Sequence, residues 1–169
     1  MFARIVIAAS FALALSAHAA NIQPNSFAWG ENIGWINFAP APSGGVTVSN
    51  NAITGFAWSQ NFGWVNFAPT SGGVVNNGAG VLSGFAWSEN AGWINFLPVG
   101  AGGVTISTTT GVFSGFAWGE NVGWINFGPM ASGGVITTWR PNGGAPNTTG
   151  AVSRKTHGSA GTFNLPLAP

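Results

Sequence analysis

Apolar and polar positions alternate in short bursts along most of this chain, and the bursts repeat. The phrase Phe116-Ala-Trp-Gly-Glu-Asn-Val-Gly-Trp-Ile-Asn-Phe-Gly-Pro129 has earlier copies starting at Phe27, Phe56 and Phe85, at steps of 29, 29 and 31 residues. Nine of its fourteen positions are identical in all four copies, reading F-A-W-x-x-N-x-G-W-x-N-F-x-P. A fixed period of this length marks a repeat architecture, in which one supersecondary unit is copied and joined to its neighbours. Within the phrase, two aromatic runs flank five residues rich in Gly and Asn, such as Gly30-Glu31-Asn32-Ile33-Gly34. That pattern predicts two strands joined by a hairpin loop. Asn32 and Gly34 are the residue types that tolerate the positive φ of a tight loop. Symmetric closure makes Trp29 and Trp35 a cross-strand pair, a contact that contributes ~0.2–1 kcal/mol over a small pair. The Pro ending each phrase cannot donate to a ladder and stops the strand.

A third strand precedes three of the copies. Val46-Thr-Val-Ser49, Val74-Val75 and Val104-Thr-Ile-Ser107 each follow a Gly-Gly pair and lead through a turn to Ile53, Leu82 or Phe113. The expected fold is therefore all-β, four tandem three-stranded repeats of about 29–31 residues. Copy one lacks its leading strand, whereas one surplus strand, Gly133-Gly-Val-Ile-Thr-Thr-Trp139, follows copy four. That surplus fits a closed ring, by completing the first unit, and equally fits a β-solenoid-like stack, as a cap.

Composition changes the picture at both ends of the chain. Residues 1–19 read as a secretory signal peptide: Arg4, an apolar run from Ile5 to Leu15, and an Ala17-His18-Ala19 cleavage site. Cleavage is expected after Ala19. Residues 20–139 then form the Trp-rich repeat domain, and residues 140–169 a polar linker with a basic tail. Charged residues are only 4% of the chain, against a typical ~25%. The acids, Glu31, Glu89 and Glu120, all take one loop position, and the bases after the signal peptide, Arg140, Arg154 and Lys155, follow the repeats. So little positive charge argues against counterion-driven nucleic-acid binding. With no Cys, disulfide support is unavailable to an exported chain, and stability must come from aromatic burial and strand pairing.

The phrase resembles the F/Y-A-W-S-E-N-x-G-W-I-x-F repeats of uncharacterised secreted or surface proteins of environmental bacteria. The likeness runs from residue 27 to about residue 139. Ser153-Arg-Lys-Thr-His-Gly-Ser-Ala-Gly-Thr-Phe163 is similar to a segment near the C-termini of large exported multi-domain bacterial proteins, and a truncated or degenerate copy of it is expected here. The two resemblances imply an exported bacterial repeat protein, secreted, surface-held or periplasmic. They imply no particular activity.

Catalysis is hard to assemble from these residues. Hydrolysis of a glycosidic bond needs two carboxyl groups flanking it, and each repeat offers at most one, replaced by Gln60 in copy two. His157 has no recognisable nucleophile beside it. A non-enzymatic protein without cofactor or metal is expected, with Glu31, Glu89 and Glu120 as solvated loop residues. The tryptophans carry two readings. Trp dominates β cores, and as core residues Trp64 and Trp93 would each cost ~3–5 kcal/mol on truncation to Ala. As exposed rings, Trp29, Trp58, Trp87 and Trp118, with Asn32, Asn61, Asn90 and Asn121, suit stacking on sugar rings and bonding to hydroxyls. One Trp of each pair taking each role is a third arrangement. In a stack, Asn37, Asn66, Asn95 and Asn126 would align as a hydrogen-bonded ladder. The function expected is a structural or adhesive module of the bacterial envelope or matrix. Its partners would be further copies of itself or neutral polymers, glycans among them. The alternative is a carbohydrate-binding lectin that uses the Trp and Asn positions.

Overall fold

A computed structural model describes residues 21–42, 45–100, 102–128 and 134–141. The expected signal peptide and the segment from residue 142 onward lie outside the described residues. Each phrase folds as the hairpin its pattern predicts: β1 (Phe27–Gly30) with β2 (Gly34–Asn37), and β4 (Ile53–Ser59) with β5 (Gly63–Asn66). The later copies give β7 (Leu82–Ser88) with β8 (Gly92–Asn95), and β10 (Phe113–Gly119) with β11 (Gly123–Asn126). The leading segments form β3 (Gly45–Val48), β6 (Gly73–Asn76) and β9 (Val104–Ile106). The described residues contain no α-helix.

The hairpins join edge to edge into a closed antiparallel barrel, in the order β1-β2-β4-β5-β7-β8-β10-β11 and back to β1. The sheet thus has no open edge around this ring, and the linear stack is excluded. Around the same axis, β6 pairs with the N-terminal halves of both β4 and β7. β5 and β6 therefore pass in turn along the same two neighbours, interrupted by the Phe67–Gly72 excursion. Val74 N–H donates to the Phe67 carbonyl at 2.9 Å and closes that excursion at its neck. Where each long strand passes the excursion it carries a glycine at positive φ: Gly55 (88°), Gly84 (84°) and Gly115 (90°). A Cβ at any of them would collide with the carbonyl oxygen of Gly45, Gly73 or Gly103, so no other residue fits.

The surplus strand completes the first repeat. Gly134 pairs with Phe27 as Gly45 pairs with Phe56, across more than a hundred residues of sequence. Gln23 N–H donates to the Ile136 carbonyl and Thr138 N–H to the Asn21 carbonyl, both at 2.8 Å. Trp139, the one tryptophan outside the phrases, is buried, and its indole N–H donates to Asn50 Oδ1 at 2.8 Å. Arg140 is buried beside it and donates from Nη1 to the Thr137 and Trp139 carbonyls at 3.1 and 2.6 Å.

Period-two alternation decides what fills the barrel. Cross-strand register places Ala28 opposite Ile36, Ala57 opposite Val65, Ala86 opposite Ile94 and Ala117 opposite Ile125, all buried. Two residues beyond each aliphatic, Phe38, Phe67, Phe96 and Phe127 also point inward. Their rings meet edge to face in a closed circuit, with centroids 5.4, 5.6, 5.3 and 5.4 Å apart in order around the ring. The void left among these phenylalanines and the aliphatics is only about 10 Å³, so the barrel is solid. At the hairpin tips, Ile33, Phe62, Ala91 and Val122 seal one end.

The paired tryptophans lie on the other face. Trp29 and Trp35 are cross-strand partners, 4.8 Å between centroids, so both rings share the outer surface and the arrangement with one inside and one outside does not occur. Phenylalanine takes the core role because an eight-stranded barrel has room for one such ring per repeat and none for an indole beside it. Phe67→Ala is accordingly expected to cost about 3–5 kcal/mol. Trp64→Ala should cost roughly half as much, because only part of its ring leaves water on folding. Chemical denaturation of the two variants checks the contrast, and a larger loss for Trp64→Ala would reverse the assignment of inner and outer faces.

Candidate functional site

The exterior carries a triad of rings in every repeat. Phe27 meets Trp35 at 6.1 Å and Trp35 meets Trp29 at 4.8 Å, both edge to face. The later triads, Phe56-Trp64-Trp58, Phe85-Trp93-Trp87 and Phe116-Trp124-Trp118, repeat this geometry. Such contacts add ~0.5–1.5 kcal/mol beyond area burial and hold each ring in one orientation. The second tryptophans are far from equivalent in accessibility: Trp35 is 49% exposed, Trp64 46%, Trp93 42% and Trp124 only 8%.

Of the residues singled out in the sequence, Trp29, Trp58, Trp87 and Trp118 lie on this outer face. Trp58 is exposed and the other three are half-buried. Asn32, Asn61, Asn90 and Asn121 sit exposed at the hairpin tips, but their amide groups have a structural task. Asn61 donates to the Ile33 carbonyl at 2.8 Å, Asn90 to Phe62 at 3.0 Å and Asn121 to Ala91 at 3.4 Å. Asn32 donates to Val122 at 3.3 Å and closes the circuit. Each tip is thereby clasped to the tip of the preceding repeat. The glycine two residues after each Asn leaves space for this reach, since a Cβ on Gly123 would stand 3.0 Å from the Asn32 amide nitrogen. The other Asn column makes no ladder. Asn37, Asn66, Asn95 and Asn126 accept at Oδ1 from the backbone N–H two residues on, at 2.9, 2.9, 2.9 and 3.0 Å. These Asx turns start the excursions that interrupt the barrel strands, and a closed ring offers no stacking axis for a ladder.

Pairing of neighbouring repeats creates a feature that no single repeat contains. Where β5 of repeat two meets β7 of repeat three, an open cleft of about 730 Å³ is lined by Phe56, Trp64 and Asn66 from one side and Trp87, Glu89 and Asn90 from the other. The register Asn66↔Trp87 that builds it recurs as Asn37↔Trp58, Asn95↔Trp118 and Asn126↔Trp29 at the other seams. The same kinds of side chain therefore converge at each seam, with Gln60 in place of the acid at the first. Sequence reasoning grouped each Trp with the Asn of its own loop. The structure keeps Trp87 with Asn90 in this cleft and adds to them Glu89 of the same loop and the second Trp and second Asn of the preceding repeat. Trp64, Phe56 and Asn66 were missed as site residues. The strict order of types within the phrase could have flagged them only with the ring register in hand.

Among the described residues, charge on this surface is sparse and of one sign. Glu31, Gln60, Glu89 and Glu120 are all exposed at the tips, as their loop position implied. Among the described residues the sole Lys or Arg is the buried Arg140. No three His, Cys, Asp or Glu side chains gather closely enough among these residues to hold a metal ion. Changing Glu31, Glu89 and Glu120 together to Gln should leave stability within about ±0.5 kcal/mol per site. A melting temperature raised by calcium and made calcium-independent by the triple change would contradict that expectation. In comparisons with known proteins, no family model matches the chain, and no curated protein or solved structure matches it.

Proposed function

We propose that the chain is an exported, non-enzymatic adhesive module that grips neutral envelope or matrix polymers through its aromatic exterior. The observation that carries this reading is the outward placement of all four Phe-Trp-Trp triads on a barrel whose interior is already full. Trp35, Trp64 and Trp93 keep nearly half their surface in water, a costly arrangement for a chain that has apolar positions to spare. Three open aromatic surfaces, at Trp35, Trp64 and Trp93, around one rigid ring suit a partner that is itself repetitive, because linked weak contacts multiply into strong retention. The expected export supports the same reading, since such polymers lie outside the cytoplasm. The low charge supports it too, by leaving neutral partners as the natural match. The test is adsorption of the mature protein to isolated, insoluble envelope and matrix material, compared with a Trp35→Ala/Trp64→Ala/Trp93→Ala variant. At least tenfold weaker retention is expected for the variant, with its circular dichroism unchanged. Equal retention of a folded variant would remove the aromatic exterior from the function.

A further inference from the structure

We infer that the cleft between repeats two and three, with its counterparts by register at the other open seams, is a saccharide site, shared between two repeats, whose ligand is a neutral oligosaccharide. This deepens the adhesive reading and rests on it. The cleft offers what a sugar ring needs on its two kinds of surface. Trp64 and Trp87, with Phe56 behind, give flat apolar faces for the C–H side of a pyranose. The polar groups beside them are complementary to hydroxyls and only partly used. Asn66 spends its Oδ1 on the Ala68 N–H, which leaves its Nδ2 as a donor. Asn90 spends its Nδ2 on the Phe62 carbonyl, which leaves its Oδ1 as an acceptor. The Glu89 carboxylate adds a further acceptor. Neighbouring sugar hydroxyls each donate and accept, so a donor flanked by acceptors fits them better than any single ionic group would.

Size and charge narrow the ligand class. About 730 Å³ lies within the range of small-ligand clefts and is open along the surface, which suits a short stretch of a longer chain. Acidic and sulfated polysaccharides are disfavoured, because the described exterior carries glutamates and its sole basic side chain is the buried Arg140. A bilayer surface is the other partner that Trp-rich exteriors suit. Here, however, Asn37, Asn66 and Asn95 interrupt the aromatic rows at the seams and glutamates rim the tips, so among the described residues no unbroken apolar band faces outward. The seams also differ in a way that can be counted. Trp35, Trp64 and Trp93 stand open, whereas Trp124 is buried, so three sites per chain are expected.

The test is calorimetric titration of the mature protein with soluble hexasaccharides of glucose, mannose, galactose and N-acetylglucosamine. Flotation with zwitterionic phosphatidylcholine vesicles runs alongside it. At least one neutral hexasaccharide should bind with a stoichiometry near three, and vesicles should not carry the protein. Trp64→Ala should lower the stoichiometry by one, and Trp124→Phe should leave it unchanged. Should Trp64→Ala fail to fold, Glu89→Lys at an exposed position reads the same cleft, with at least tenfold weaker binding there. Binding of none of the four sugars, or a stoichiometry that neither Trp64→Ala nor Glu89→Lys alters, overturns the proposal. Flotation without sugar binding would assign the exterior to membranes and overturn it as well. Protein that adsorbs to envelope material yet binds no hexasaccharide would sink the saccharide site while leaving the adhesive reading in place. Failure of adsorption too would remove both.

Discussion

Four phenylalanine rings, meeting edge to face on the axis of the barrel, set the terms for everything outside it. An eight-stranded ring has an interior just wide enough to be filled by side chains. Phe38, Phe67, Phe96 and Phe127 fill one layer, while pairs of Ala with Ile or Val fill the next. The small Ala opposite each larger aliphatic is what lets four hairpins converge without a clash. With the interior closed even to a small ligand, the period-two alternation leaves the Phe-Trp-Trp triads outside. Any recognition by the barrel must therefore occur on its outer surface.

The hairpins and the three-stranded unit were legible in the sequence because their determinants are local. Gly and Asn at fixed loop positions force the turn, and alternating aromatic runs force the strands. The inner and outer faces were legible in principle, since cross-strand pairing puts Trp29 and Trp35 on one side and Ala28 and Ile36 on the other. The sequence alone leaves them open, because Trp so often fills β cores and the small Ala at the inward position is a weaker signal. Ring against stack was not legible. The segment from Gly134 to Trp139 has the same local pattern in either arrangement, and only its pairing with Asn21–Phe27 decides. The seam cleft was hidden as well, because it is assembled from residues of two repeats across a register that only the pairing between neighbouring hairpins fixes. The Asn at the hairpin tips reads in the sequence as a ligand-binding residue, and its contact with the neighbouring repeat could not be read there. Its amide turned out to join neighbouring tips, a contact that also exists only between repeats.

Rigidity links this architecture to its proposed use. The tip clasps, the Asx turns and the glycines under each excursion fix the backbone on both sides of a seam, so the indole faces are held before any ligand arrives. Preorganised rings lose little side-chain freedom on contact, which is where weak apolar recognition usually loses affinity. Repetition then supplies avidity without demanding a deep pocket. The unequal exposure of the second tryptophans shows that fourfold sequence repetition has not produced fourfold surface symmetry. The seam between the last and first repeats, where the surplus strand enters, is the one that differs.

Ring closure is the claim on which the seams, the solid core and the outward aromatics all rest. Native-state hydrogen exchange tests it most directly, through the amides of Gln23, Gly134 and Thr138, whose acceptors lie at the opposite end of the chain. Closure predicts that these amides are protected to the same degree as those of Val74 and Phe96 in the interior repeats, and that all are released together on global unfolding. Fast exchange at Gln23, Gly134 and Thr138, with strong protection retained at Val74 and Phe96, would show an open chain of hairpins and contradict the account.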